Sequence, residues 1–591
     1  MSNISSAEIA AKATLEKMFK AIDSNQCFRL EAGAGAGKTY SLIKALKYLT
    51  ENKGKYFSVN SQQVVCITYT NVAKDEIIER TDNNPLVLTE TIHGFAWSII
   101  NVFQKQLRLF IPELSQSWRD NIELAGGLKN QMVVYDLGYP NVSNNEIRLH
   151  HDDVLELFCR FLIEPKFQEL LVSKYPIIFI DEYQDTNKKL AESIISNLIE
   201  TDKGILIGFF GDHWQTIYGS KSCGLISNAN GRIEEINKEA NFRSNKVIVE
   251  MLNRMRPELP QQIFDDSPNG QIKIFHTNSW KGPRQTANHW QGDLPKEDAH
   301  KYLERVKAQL ISLGWNFDTD NTKILMLTHN VLAEEQGYNK LRDCFSNSDD
   351  YLKGNDPYIK FMVEKLIPIK NCFLNHKYGE MFEIIGRKTA PVMCQDDKKI
   401  WNEDLKKLIK IMDNGTIGNV IDFLNEAKHP RLPSKVEERE RRFHGLTSIS
   451  SEDTIEVKDS NFVNKLSKLR EVKFEEVEKL YDFINEKTVF STNHGVKGAE
   501  FENVLIVCGR GWNHYNWNDF LEWMSGNIPS NKLATFERNR NLFYVACSRA
   551  KMRLSILFTQ QLSENAMTSI RKIFGNENII GEPELVDDNI I

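Results

Sequence analysis

Paired cysteines, long apolar runs and an excess of positive charge are all missing from this chain of 591 residues. Its nine cysteines are scattered singly, with no C-x-x-C pair. That argues against zinc ribbons and iron–sulfur clusters, and predicts reduced thiols in a cytoplasmic protein. Cys66 and Cys508 sit in apolar runs, where a thiol acts as a small buried hydrophobe. No apolar run reaches the roughly 18 residues of a membrane span, so no membrane is expected as a partner. The N-terminal stretch has no apolar h-region, so no signal peptide is predicted. Ser5 and Glu8 instead fit a capping box, opening a helix with Ile9, Ala13, Met18 and Ile22 on one face. The net charge of −6 excludes coating of nucleic acid by bulk charge and leaves room for a local basic channel.

What is present is a recurring apolar strand pattern. One set is CFRLEA (27–32), VVCITYT (64–70), YPIIFID (175–181) and GILIGFFGD (204–212). A second is QIKIFH (271–276), KILMLTH (323–329), TVFST (488–492), VLIVC (504–508) and RLSILFT (553–559). Near-continuous apolar strands separated by helices predict parallel sheets covered on both faces. The chain is also too long for one core. The expected fold class is therefore α/β, with two parallel-sheet domains that share a related fold. Each is interrupted by a polar, helical stretch, at about 98–165 and 335–487. The charged run at 434–454 reads as a solvated helix end followed by a loop.

The first strand runs into EAGAGAGKTY (31–40). A glycine-rich loop between a strand and a helix cradles phosphates with its backbone N–H groups, here from Gly35, Ala36 and Gly37. Lys38 would reach the β/γ-phosphates of ATP, and Thr39 would ligate Mg²⁺. Ala32 stands where the G-x-x-x-x-G-K-[ST] pattern has its first glycine. Downstream, IIFIDEYQDT (177–186) ends a strand in two acids. Asp181 is placed to hold Mg²⁺ through water, and Glu182 to orient or deprotonate an attacking water.

Further segments complete a resemblance. CITYTNVAKDEIIER (66–80), TIHGF (91–95), DEYQDTN (181–187), GDHWQTIYG (211–219), NFRS (241–244), TNHGVKGAEF (492–501) and RNLFYVACSRAK (540–551) follow in order. Together they resemble the motifs of superfamily 1A DNA helicases, the UvrD, Rep and PcrA group. The resemblance implies two RecA-like motor domains, at 1–97 with 166–240 and at 241–334 with 488–591. It also implies two mainly helical accessory insertions, at 98–165 and 335–487. It implies that Arg243 and Arg549 act as arginine fingers, Gln215 as a γ-phosphate sensor, Glu500 as a ribose contact and Tyr218 as a base-packing ring. For DNA it implies contacts from Thr68, Tyr69, Thr70, Asn71, Thr91, His93, Thr492 and His494. The expected activity is ATP-dependent 3′-to-5′ movement on single-stranded or tailed duplex DNA, in repair or antiphage defence.

Two departures from the family stand out. Gly219, Ser220 and Lys221 follow Tyr218 where the family has a tryptophan that stacks on DNA and then an arginine, which removes a platform worth about 1–3 kcal/mol per base and leaves lysine without arginine's planar fork. No glutamine lies where the family reads adenine. A DNA-stimulated ATPase that senses ends and controls a nuclease is therefore the rival reading. Antiphage helicases of the Gabija type, paired with an OLD-family nuclease, share this divergence. GWNHYNWNDFLEW (511–523) offers either base-stacking rings or a packed helix face. HHDD (150–153) is read as a helix N-cap supplied by Asp152 or Asp153 rather than a metal site.

Overall fold

The computed structural model describes residues 4–136, 140–217, 219, 221–266, 270–386, 392, 394–447, 457–509 and 514–583. Tyr218, Ser220 and Trp512 lie outside the described residues.

Two six-stranded sheets carry the architecture. In the first, the spatial order is Val87–Thr91, Val64–Thr68, Ile177–Asp181, Leu206–Gly211, Cys27–Ala32 and Ile233–Lys238. In the second, it is Phe490–Thr492, Thr322–Met326, Phe501–Cys508, Ala550–Phe558, Gln271–His276 and Ile579–Gly581. Every neighbouring pair is parallel. Ranked by chain position within its own sheet, each set of strands reads 3-2-4-5-1-6. The two halves thus share one topology. In the first sheet the central strands Cys27–Ala32, Val64–Thr68, Ile177–Asp181 and Leu206–Gly211 are buried at every position. Helices cover both faces, as near-continuous apolar strands require.

Between the third and fourth strands of the first sheet, helices Gln104–Leu114, Gln116–Leu124, His151–Ile163 and Pro165–Lys174 surround three short strands within 132–148. Those strands, two or three residues each, are too short to leave a sequence pattern. In the second sheet, the stretch from His329 to Ile484 is helical among its described residues. It packs around a core of its own that includes Trp401, Leu405, Leu424 and Val477. Helix Ser434–Thr447 is charged as expected, yet Glu440 is buried. Glu440 accepts from the Tyr358 hydroxyl at 2.6 Å and from Arg470 at 2.5 Å.

The capping box of Ser5 and Glu8 opens helix Ser6–Asp23. Met18 and Ile22 are buried, but Ile9 is 61% exposed. The buried stripe runs through Ala7, Ala11, Thr14 and Met18 instead, because small residues let this helix lie close to the sheet. The cap of helix His151–Ile163 is His150, with Asp153 returning to its backbone N–H at 2.8 Å. The cap thus falls ahead of the two acids, which occupy the first turn and favour its dipole. Tyr515, Trp517 and Phe520 are buried in the second core, so the packed-face reading holds for those rings of 511–523. All nine cysteines are free thiols. No described helix is long and apolar enough to cross a membrane.

Candidate nucleotide and DNA site

The phosphate loop lies at the carboxyl end of strand Cys27–Ala32, deep between the two sheets. Gly35 and Gly37 adopt φ of +76° and +75°, the left-handed region that a side chain disfavours. A Cβ on Gly35 would stand 2.8 Å from both Arg243 Cβ and Asn241 Oδ1. Ala32, by contrast, is the last residue of the strand and pairs in register with Lys238. Its ordinary backbone has no need of glycine, which explains the departure from the loop pattern.

Lys38 and Thr39 open helix Lys38–Val59, with Gly37 as its N-cap. Lys38 Nζ stands 2.6 Å from Glu182 Oε1. Asp181 ends its strand fully inside, and its Oδ1 has no hydrogen-bond partner. Burial, outweighing the pull of Lys38, raises its carboxyl to about 6. Burial also opposes the charge on Glu182, but Lys38 and Lys497 overcome it and hold the group near 2. Two adjacent carboxyls are thereby driven apart, the pattern of divided acid and base roles. Glu182 also has φ of +48°, a strained backbone of the kind that clusters at functional sites.

Gln215 donates to Asp212 at 2.8 Å, and its Oε1 lies 3.5 Å from Arg549 Nη2. Arg549 is buried and also donates to the carbonyls of Val545 and Ala499, at 2.9 and 3.2 Å, and to Ser548 Oγ at 3.0 Å. Burial and then the nearby Arg243 pull its guanidinium down to about 9. Arg243 pairs with Glu500 at 2.9 Å and donates to the Ser548 carbonyl at 3.0 Å. Glu500 also pairs with Lys551 at 2.7 Å. The structure therefore brings Lys38, Asp181, Glu182, Gln215, Arg243 and Arg549 to one region, with Glu500 at its edge.

Several contacts here had no individual place in the sequence reading. Asn241 and Gln261 both donate to the Ala34 carbonyl at 3.1 Å. The Phe242 N–H reaches the Gly35 carbonyl at 2.8 Å, and Tyr544 accepts from the Ala34 N–H at 3.1 Å. Lys497 pairs with Asp185 and donates to the Gln215 carbonyl at 2.9 Å. Asn241, Tyr544 and Lys497 belong to the quoted motifs and could have been marked there. Gln261 carries no local signal.

The expected DNA-contact residues are less uniform. Tyr69 is half exposed at the end of its strand, and Asn71 opens the next helix. Thr70, Thr91 and Thr492 use their hydroxyls to accept from the N–H groups of Ala73, Gly94 and Gly495, at 3.2, 3.2 and 3.0 Å. Thr68 is turned inward, its hydroxyl on the Thr70 carbonyl at 3.2 Å. The His93 ring stacks on His151 at 3.4 Å, and burial holds it near pH 4. His494 lies 3.1 Å from the Tyr515 hydroxyl. Lys221 pairs with Asp152 at 3.0 Å.

Two family matches span most of this arrangement. The AAA domain matches residues 16–221, and the UvrD-like helicase C-terminal domain matches residues 327–561. The chain belongs to the UvrD-like helicases, the class of ATP-hydrolysing DNA helicases. Among individual proteins, it is 26% identical to Gabija protein GajB of Bacillus cereus strain HuB5-5, covering 95% of this chain and 97% of that protein. A second Gabija protein GajB, from Bacillus cereus strain VD045, is 24% identical over 93% of this chain and 96% of its own length. ATP-dependent DNA helicase PcrA of Staphylococcus aureus is 26% identical over 41% of this chain and 40% of its own length.

Proposed function

We propose that this chain is an ATP-driven motor that moves 3′ to 5′ along single-stranded DNA in antiphage defence, beside a partner nuclease of the OLD-family type. The observation that carries the reading is the meeting of Lys38, Glu182, Gln215, Arg243 and Arg549 between two parallel sheets of one topology. The defence setting is supported by a likeness to Gabija proteins along nearly the whole chain, and the direction by the resemblance of the motifs. DNA repair is the setting that the motor motifs alone would equally allow.

In this reading the N–H groups of Gly35, Ala36 and Gly37 cradle the phosphates of ATP. Lys38 leaves Glu182 for the β/γ-phosphates, and Glu182 is freed to orient the attacking water. The buried Oδ1 of Asp181 has no hydrogen-bond partner and suits a cation, and Thr39 with Asp181 would hold Mg²⁺. Bound there, Mg²⁺ would neutralise phosphate charge. Arg243 and Arg549 exchange carbonyls and Glu500 for the γ-phosphate, with Gln215 between them, which draws the two sheets together. The insertions at 98–165 and 335–487 serve as accessory domains. Tyr69, Asn71, His93 and His494 approach the single strand from the loop ends.

The second reading is a sensor of DNA ends that gates a nuclease without sustained unwinding. It is favoured by Lys221, which is tied to Asp152 in the segment where the family stacks a base. ATPase assays with and without oligonucleotides, with Lys38→Ala as control, test both. Equal rates with and without DNA would sink both. Displacement of 3′-tailed but not 5′-tailed duplexes by the purified chain supports the motor, and its absence favours the sensor.

A further inference from the structure

Behind the phosphate loop lies a second lysine that the motifs leave out. Lys238 ends the edge strand Ile233–Lys238 and is 0% exposed. Its Nζ donates to the Gly37 carbonyl at 2.8 Å and to Ser41 Oγ at 2.7 Å. The rings of Tyr40 and Phe242 flank it, with centroids at 5.6 and 6.0 Å. No carboxylate pairs with it among the described residues, whereas Lys38 has Glu182. A buried ammonium without a counter-charge is costly. Carbonyl, hydroxyl and ring contacts offset that cost in part, and they fix the cation against the residue that precedes Lys38.

We propose that Lys238 is a positioning residue for the nucleotide: its ammonium locks Gly37 and the first turn of the following helix, and the polyphosphate is the counter-charge its burial lacks. The inference rests on the ATPase reading, which gives the loop its ligand. The loop is then held by one short segment, with Lys238 on Gly37, Phe242 on Gly35 and Asn241 on Ala34. Arg243 continues the same segment toward Glu500. Filling of the loop would be felt directly at Arg243.

Burial draws the Lys238 ammonium down to about 8, so a nearby anion should restore its proton. Burial is the cause of that shift, with no charged neighbour contributing; the groups against Lys238 are the Gly37 carbonyl, Ser41 Oγ and the Tyr40 ring from the loop and its helix, and the Phe242 ring from the next strand. Lys38 is raised above its usual range, with burial opposed by Glu182 and Asp181, and does not titrate in the window used below.

The test is binding of a fluorescent ADP to the full chain. Lys238→Met is expected to weaken binding about tenfold, the effect of losing roughly 1.4 kcal/mol, and Lys238→Arg to restore most of it. Wild-type affinity is expected to fall as pH rises from 7 to 8.5, through the Lys238 value of about 8 and below that of about 9 for Arg549, and the Lys238→Met profile to stay flat over that window. A folded Lys238→Met that binds within twofold of wild type overturns the proposal. Should that variant fail to fold, a flat wild-type profile overturns it instead. Lys38→Ala separates the two failures: if wild type and Lys38→Ala bind ADP alike, the nucleotide site itself is wrong.

Discussion

Lys38 Nζ lies 2.6 Å from Glu182 Oε1, so the loop's cation and the neighbouring carboxylate hold each other. In the proposed reading nucleotide must separate them before either acts, which makes the pair a brake that nucleotide releases. Glu182 stays charged because Lys38 and Lys497 face it.

Removing that charge should therefore split binding from hydrolysis. Glu182→Gln is expected to bind ATP more tightly, since Lys38 is no longer held by an anion. Hydrolysis should fall by about 10²–10⁴-fold, the usual worth of a positioned base. Equilibrium binding and steady-state ATPase on the same preparation check both arms. Weaker ATP binding by Glu182→Gln would refute the brake.

Asp181 carries the opposite signature. Its carboxyl is raised to about 6 by burial, above the ordinary value near 4 of an unfolded aspartate. The folded state therefore binds the extra proton between those values, and this group's contribution to stability falls as pH rises toward 6. Above pH 6 it is a buried, charged acid with an orphaned oxygen. Asp181→Asn is expected to raise the Tm of the nucleotide-free protein at pH 7.5 by about 2–4 °C, and to abolish Mg²⁺-dependent hydrolysis. Melting curves at pH 5 and 7.5 should both show the gain, smaller at pH 5, where only part of the penalty has developed.

Why these residues could be placed before any coordinates follows from local physics. Strands Val64–Thr68 and Ile177–Asp181 fall within the apolar runs VVCITYT and YPIIFID, because a strand covered on both faces is nearly continuously apolar. Edge strands lack that constraint. Ile233–Lys238 buries only some of its positions, and Val87–Thr91 is mostly half-buried, so neither leaves a continuous run. The nucleotide residues were legible because loop, strand end and helix start are adjacent in the chain. Lys238, Gln261 and Arg256 act across large sequence separations on backbone or on buried acids. Nothing near them in sequence announces a partner.

Lys497 joins the two halves of the motor. It comes from the segment after strand Phe490–Thr492, pairs with Asp185 and reaches the Gln215 carbonyl. Asp185 is almost fully buried, so Lys497→Met leaves an unpaired acid inside. Such a loss is expected to cost about 3–5 kcal/mol. Adding Asp185→Asn should recover a large part of it, and denaturant unfolding in a double-mutant cycle measures the coupling. Additive effects would mean that the contact is incidental.

Arg256 ties the other side. It follows helix Lys246–Met255 and pairs with Asp212 at 2.6 Å and Glu31 at 3.1 Å, two residues ahead of the loop's Gly33. Burial opposes the charge on Glu31, but His213, Tyr183 and Arg256 bring it down to about 2. A carboxylate lowered on folding adds stability that is complete above its unfolded value, near 4.3. That stability is lost as pH falls toward 2. Arg256→Met is expected to cost about 3–5 kcal/mol at neutral pH, because Glu31 and Asp212 stay buried without their cation. Arg256→Lys should rescue little, since a point charge cannot address both acids as the planar fork does. Much of the penalty should disappear below pH 4, where protonation removes the stranded charges. Unfolding measured from pH 3 to 8 tests this, and a penalty independent of pH would show that Arg256 acts by packing on Trp214 and Tyr544 rather than by charge.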